Sequence, residues 1–230
     1  MSRILLIETS TALCSTAIAE DGKIIVYKES GTPRAQASLT APFVKEMLDS
    51  LGIKASGCDA VCVSMGPGSY TGLRVGVSTA KGLCFGAGIP LLAVGTLDTL
   101  VWQAHDEGLL PEGCTAVIPM IDARRMEVYA AVFSPEGQQI TETRPQIIDA
   151  GSFAEQLEAG PVLFIGDGAL KCKDVLTHPN AHFVQCCPNA SAMLHPAETE
   201  YKEKRFKDVA YFEPFYLKQF VATVSSKKLF

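Results

Sequence analysis

The sequence predicts an α/β protein built from two similar lobes, each a β-meander-led mixed sheet with helices packed on it. Three observations predict this. Short apolar runs joined by an Asp-Gly turn open the chain, an apolar strand runs straight into a glycine-rich loop and a long apolar helix, and the same order returns in the second half.

Residues 3–7 and 14–19 read as buried strands, and the Asp21-Gly22 turn leads into a third strand at 23–27. Leu39, Phe43, Met47 and Leu51 then step by four, with Val44 and Leu48 beside them, which predicts an amphipathic helix ending near Gly52. Residues 59–64 form another buried strand, followed by the loop Gly66-Pro-Gly-Ser-Tyr-Thr-Gly72 and a helix over 73–85. A strand at 89–94 and a helix at 96–105, started by a Thr96 cap, complete the first half.

The second half repeats the plan. Strands are expected at 115–121, at 127–133 and from Gln138 onward, then a helix at 152–158, a strand at 162–165 and the turn Gly166-Asp-Gly168. Glu8 and Asp122, at the ends of the leading strands, stand 114 residues apart, and Gly22 and Gly137 stand 115 apart. A register held through so many elements marks a duplicated unit. The expected lobes are 1–100 and a reduced 101–220, followed by a mobile tail at 221–230 in which Lys227 and Lys228 read as part of a solvated terminus.

The ends of the leading strands and the glycine turns should face one another across a cleft. Glu8, Thr9, Ser10, Gly66, Gly68, Ser69, Asp122, Gly166 and Gly168 would line it. Backbone N–H groups of the Gly66 loop can cradle a phosphate, or its glycines can simply allow a tight turn and close helix packing; no Gly-Lys-Ser/Thr ends the loop as a Walker motif would. Glu8 can serve phosphate chemistry or accept from amides of the turn after it. Asp122 with Arg124 and Arg125 can hold an anion or form a strand-end ion pair.

Leu73, Gly76, Val77, Ala80 and Leu83 on the second helix, with Leu39, Phe43 and Met47 on the first, offer more apolar and small-residue surface than one sheet face requires. This surface is expected to dock a partner protein.

A net charge of −5 argues against a protein that grips nucleic acid unaided. Most of the eight cysteines lie in apolar runs and read as reduced core residues, and neither Cys58 with Cys62 nor Cys186 with Cys187 has zinc-site spacing. Neither a signal peptide nor a run of the ~20 apolar residues that a membrane span requires is present, so the chain is expected in the cytoplasm. No protease triad or His-Glu-x-x-His is present either.

Ile4-Leu-Leu-Ile-Glu-Thr-Ser10, the block from Gly66 to Gly76, Ile121-Asp-Ala-Arg124 and Pro214-Phe-Tyr-Leu-Lys218 together resemble the TsaB (YeaZ) family over nearly the whole chain. The resemblance implies the actin/hexokinase/Hsp70-like (ASKHA) fold and a part in threonylcarbamoylation of the adenosine beside the anticodon of tRNAs that read codons beginning with A. It implies a non-catalytic subunit, without metal or bound cofactor beyond a possible nucleotide contact at an interface. The partners it implies are a TsaD-like transferase, a TsaE-like ATPase and, only indirectly, tRNA, with a homodimer when the chain is alone. The transferase's metal-binding His-x-x-x-His is matched here by Gln36 and Thr40, which are not a competent ligand pair. The rival expectation is an ATP-dependent small-molecule kinase or ATPase of the same fold, using Ser10, Gly66–Ser69 and Gly166–Gly168 around ATP and magnesium.

Overall fold

The computed structural model describes residues 2–218, so the expected tail at 221–230 lies outside the described residues. The first sheet comprises β1 (Arg3–Glu8), β2 (Cys14–Glu20), β3 (Lys23–Ser30), β4 (Ala60–Ser64) and β5 (Leu91–Val94) in the order β3-β2-β1-β4-β5. The second comprises β6 (Ala116–Asp122), β7 (Glu127–Ala130), β8 (Arg144–Ile147), β9 (Val162–Ile165) and β10 (Ala181–Val184) in the order β8-β7-β6-β9-β10. The two orders are one order. In each sheet the leading strand is antiparallel to the next strand and parallel to the fourth, which confirms the duplication.

Both faces of β1 are covered, which is why it reads as a continuous apolar run. Leu5 and Ile7 pack with Val44, Met47, Val77 and Ala80 from α1 (Gln36–Ser50) and α2 (Tyr70–Ala87). Ile4 and Leu6 on the opposite face meet Ala190, Met193 and Ala197, the last from α5 (Leu194–Lys202). The expected lobe boundary therefore moves: residues after about 190 belong by packing to the first lobe, and Ala190 N–H donates to Ser15 Oγ at 2.9 Å. Sequence distance hid this because the contact spans 175 residues.

Two further expectations are corrected. Thr96 is the first residue of α3 (Thr96–Asp106), Gly95 is its cap, and the Thr96 hydroxyl instead meets Ser64 Oγ at 2.9 Å. The third strand of the second lobe does not begin at Gln138. Ile140 and Thr141 N–H both converge on Val132 O, and the regular ladder resumes only at β8, an edge strand that tolerates Pro145. In the second lobe α4 (Ala154–Ala159) is short, and where α2 stands in the first lobe the second has only a 3-10 turn, Leu170–Cys172. The second lobe is thus the reduced one. No helix among the described residues is long and apolar enough to cross a membrane.

Candidate functional site

Glu8, the last residue of β1, is completely buried. Its Oε1 accepts from Ser10 N–H at 2.6 Å, while Oε2 has no hydrogen-bond partner among the described residues. Burial pushes this carboxyl up to about 7, against the opposing pull of the Ser10 hydrogen bond. Glu8 thus braces the turn that follows it.

That turn is packed against the glycine loop. Ser69 N–H donates to Ser10 O at 2.6 Å, the Thr9 hydroxyl donates to Gly72 O at 2.8 Å, and Gly72 N–H reaches Ser69 Oγ at 3.3 Å. A Cβ on Gly68 would lie 2.3 Å from Ser10 O, and one on Gly72 would lie 2.0 Å from Thr9 O. Gly66 adopts φ +107°, and its carbonyl accepts from Thr96 N–H at 3.0 Å. The glycines serve close backbone approach, and the amides of Ser69 and Gly72 are spent inside the protein.

In the second lobe a Cβ on Gly166 would lie 2.3 Å from Met120 O, and Gly168 N–H donates to that same carbonyl at 3.0 Å. Asp122 N–H donates to Asp167 Oδ1 at 2.8 Å. The Asp122 carboxylate pairs with Lys171 at 2.5 Å and accepts from Arg124 N–H at 2.8 Å. Its ion-pair partner is therefore Lys171, 49 residues away, and neither Arg124 nor Arg125 fills that place.

Between the lobes lies a cavity of about 340 Å³ bounded by Gly66, Pro67, Gly95, Asp98, Glu142 and Phe215. Burial raises the Asp98 carboxyl to about 6. Of the expected cleft residues Gly66 borders this cavity, and sequence reading missed the rest of its lining. Asp98 carried the only local signal, an acid in the first turn of a helix.

The expected docking surface is redrawn by burial. Met47, Leu73, Gly76, Val77 and Ala80 are buried within the first lobe, where α1 and α2 pack on its sheet, and so are closed to a partner. Leu39, Phe43 and Leu83 remain partly accessible. The outer face is instead made by Ala37, Ala41 and Lys45 of α1 and by Arg74, Ser78, Gly82 and Phe85 of α2, with Phe85 86% exposed. Val44, Leu48, Thr79 and Leu83 floor a groove of about 310 Å³ between the two helices.

Residues 31–225 match the family model of TsaD, tRNA N6-adenosine threonylcarbamoyltransferase. The tRNA threonylcarbamoyladenosine biosynthesis protein TsaB of Escherichia coli is 32% identical, over 96% of this chain and 96% of its own length. The chain belongs to the TsaB (YeaZ) family. The TsaB of Haemophilus influenzae is 31% identical over 98% of this chain and 96% of its own length. YeaZ from Pseudomonas aeruginosa superposes with a TM-score of 0.80 at 28% identity, covering 94% of this chain and all of that one. A second P. aeruginosa structure, described as similar to peptidase YEAZ, reaches 0.83 at 27%, covering 95% of this chain and all of that one. The duplicated sheets are thus the ASKHA fold in its TsaB form.

Gln36 Nε2 donates to Thr11 O at 2.7 Å, and the Thr40 hydroxyl donates to Gln36 O at 2.6 Å. Both side chains tie α1 to the cleft turn or to itself. Among the described residues no group of three or more His, Cys, Asp or Glu side chains is arranged to hold a metal ion.

Proposed function

We propose that this chain is a non-catalytic subunit of a cytoplasmic tRNA threonylcarbamoyladenosine assembly, which docks onto a TsaD-family transferase and activates it. The observation that carries the reading is the outer face of α1 and α2. It joins small residues, Ala41, Ser78 and Gly82, to the almost fully exposed Phe85, a combination that lets two further helices approach closely. Copies of the chain pair through this face when the transferase is absent. A TsaE-like ATPase joins the same assembly, and tRNA is gripped chiefly by the transferase, in keeping with the chain's acidity.

The rival kinase or ATPase reading asks the Gly66 loop for a phosphate cradle. The commitment of Ser69 N–H to Ser10 O, and of Gly72 N–H to Ser69 Oγ, weighs against it.

The test is reconstitution of threonylcarbamoylation from purified TsaD, TsaE, tRNA and threonylcarbamoyl-adenylate, with and without this chain. Modification that requires the chain is expected. Equal modification in both mixtures, or ATP turnover by the chain alone, would return the rival to first place.

A further inference from the structure

Arg124 and Arg125 form the tip of the β6–β7 hairpin, closed by the Ala123 N–H to Glu127 O bond of 3.1 Å. Both have left-handed backbone, with φ +72° and +53°. Arginine has no local reason to be there, since glycine or asparagine adopts this conformation with less strain. Both side chains are exposed, and neither guanidinium has a hydrogen-bond or ion-pair partner among the described residues.

The surroundings keep that charge free. Asp122 is paired with Lys171, Glu127 with Lys218, and Asp167 accepts from Asp122 N–H. The Lys171 ammonium also donates to Arg125 O and Glu127 O, each at 2.7 Å, holding the hairpin in the shape that projects the two arginines. The neighbouring acids are engaged elsewhere, so two adjacent positive charges stand unneutralised on a protein whose net charge is −5.

We infer that Arg124 and Arg125 contact the phosphodiester backbone of the RNA substrate, a second hold on nucleic acid beside that of the transferase; the inference rests on the assembly proposed above. Guanidinium groups suit phosphate oxygens through paired N–H donors, and contacts of this kind position RNA without reading its sequence. The strain accepted at the tip is the mark of residues placed for contact rather than for stability.

The test titrates labelled tRNA into the assembly of this chain with a TsaD-family transferase, by fluorescence anisotropy at salt from about 50 to 200 mM. Two double variants are compared with the wild type: Arg124→Asn with Arg125→Gly, and Arg124→Lys with Arg125→Lys. In the Asn/Gly variant tRNA affinity should fall roughly three- to tenfold, and the log–log salt slope should shrink by about one to two. Its own melting temperature should rise by roughly 2–4 °C as strain is relieved. The Lys/Lys variant, with its charge intact, should keep the slope. Unchanged affinity and slope in an Asn/Gly assembly that size-exclusion chromatography shows to be intact would overturn the inference. Loss of the assembly itself by that variant would also overturn it, assigning the tip to a protein contact. If the wild-type chain and the transferase do not associate at all, the assembly reading fails. Low-salt titration of the chain alone then decides the inference: tighter binding by the wild type than by the Asn/Gly variant upholds it, and equal binding ends it.

Discussion

Gly76 lies directly beneath Thr9: a Cβ on Gly76 would stand 2.3 Å from the Thr9 hydroxyl oxygen, the same oxygen that donates to Gly72 O at 2.8 Å. Helix α2 can therefore approach the turn after β1 only because it carries no side chain at either position. Gly72→Ala and Gly76→Ala should each destabilise the protein by about 2 kcal/mol or more, because the new methyl meets the backbone carbonyl or the buried hydroxyl of Thr9. Urea unfolding checks this, and wild-type midpoints would show that the contact can relax.

The buried Glu8 gives stability a pH dependence. Its carboxyl titrates near 7 in the folded protein and near 4.5 when exposed, so between those values the folded state holds the extra proton. Stability should fall as pH rises through that window, by about 3 kcal/mol at most from this residue. Asp98 and Asp167, both raised to about 6 by burial, add the same sign at lower pH. Glu8→Gln should flatten the decline between pH 5 and 7 in denaturation curves; a decline as steep as the wild type's would assign it to other groups.

Charge placed on the helical face separates docking from folding. Phe85→Glu should leave the melting temperature near that of the wild type and abolish association with a TsaD-family transferase in isothermal titration calorimetry. Val77→Asp should instead cost about 3 kcal/mol or more of stability, because Val77 is only 4% exposed and the carboxylate would have no partner there. Tight binding by the Phe85 variant would move the docking surface elsewhere.

Lys81 fastens the C-terminal segment to α2 by donating to Ala210 O at 3.0 Å and Phe212 O at 3.1 Å. Beyond it, Phe215 N–H reaches Met65 O at 2.7 Å, and Tyr216 packs against Tyr70 with ring centroids 4.8 Å apart. Lys81→Met, which keeps the stem and loses the donors, should speed limited proteolysis near residues 207–213 several-fold with a loss of about 1 kcal/mol. An unchanged cleavage rate would show that the aromatic contacts suffice.

The duplicated order was legible because apolar runs and Asp-Gly or Glu-Gly turns obey local rules, and Glu8 against Asp122 and Gly22 against Gly137 carried the register. The Gly66 loop was equally legible as a strand–loop–helix junction, yet its purpose was not. A glycine that admits a ligand and one that admits a neighbouring backbone have the same sequence signal, and the Ser10 and Thr9 carbonyls beside Gly68 and Gly72 come into view only in the folded chain.

By itself the sequence determined the fold class, the repeat and the family, since these depend on periodicity and on motifs contiguous in the chain. Tertiary structure decided which faces of α1 and α2 remain open. It buried Met47, Val77 and Ala80 while exposing Phe85, carried residues after about 190 back onto the first sheet, and paired Asp122 with Lys171. Each of these rests on contacts between segments far apart in the chain, whose approach is set by how the two sheets and their helices pack, and hydrophobic periodicity records that a face is buried without recording what buries it.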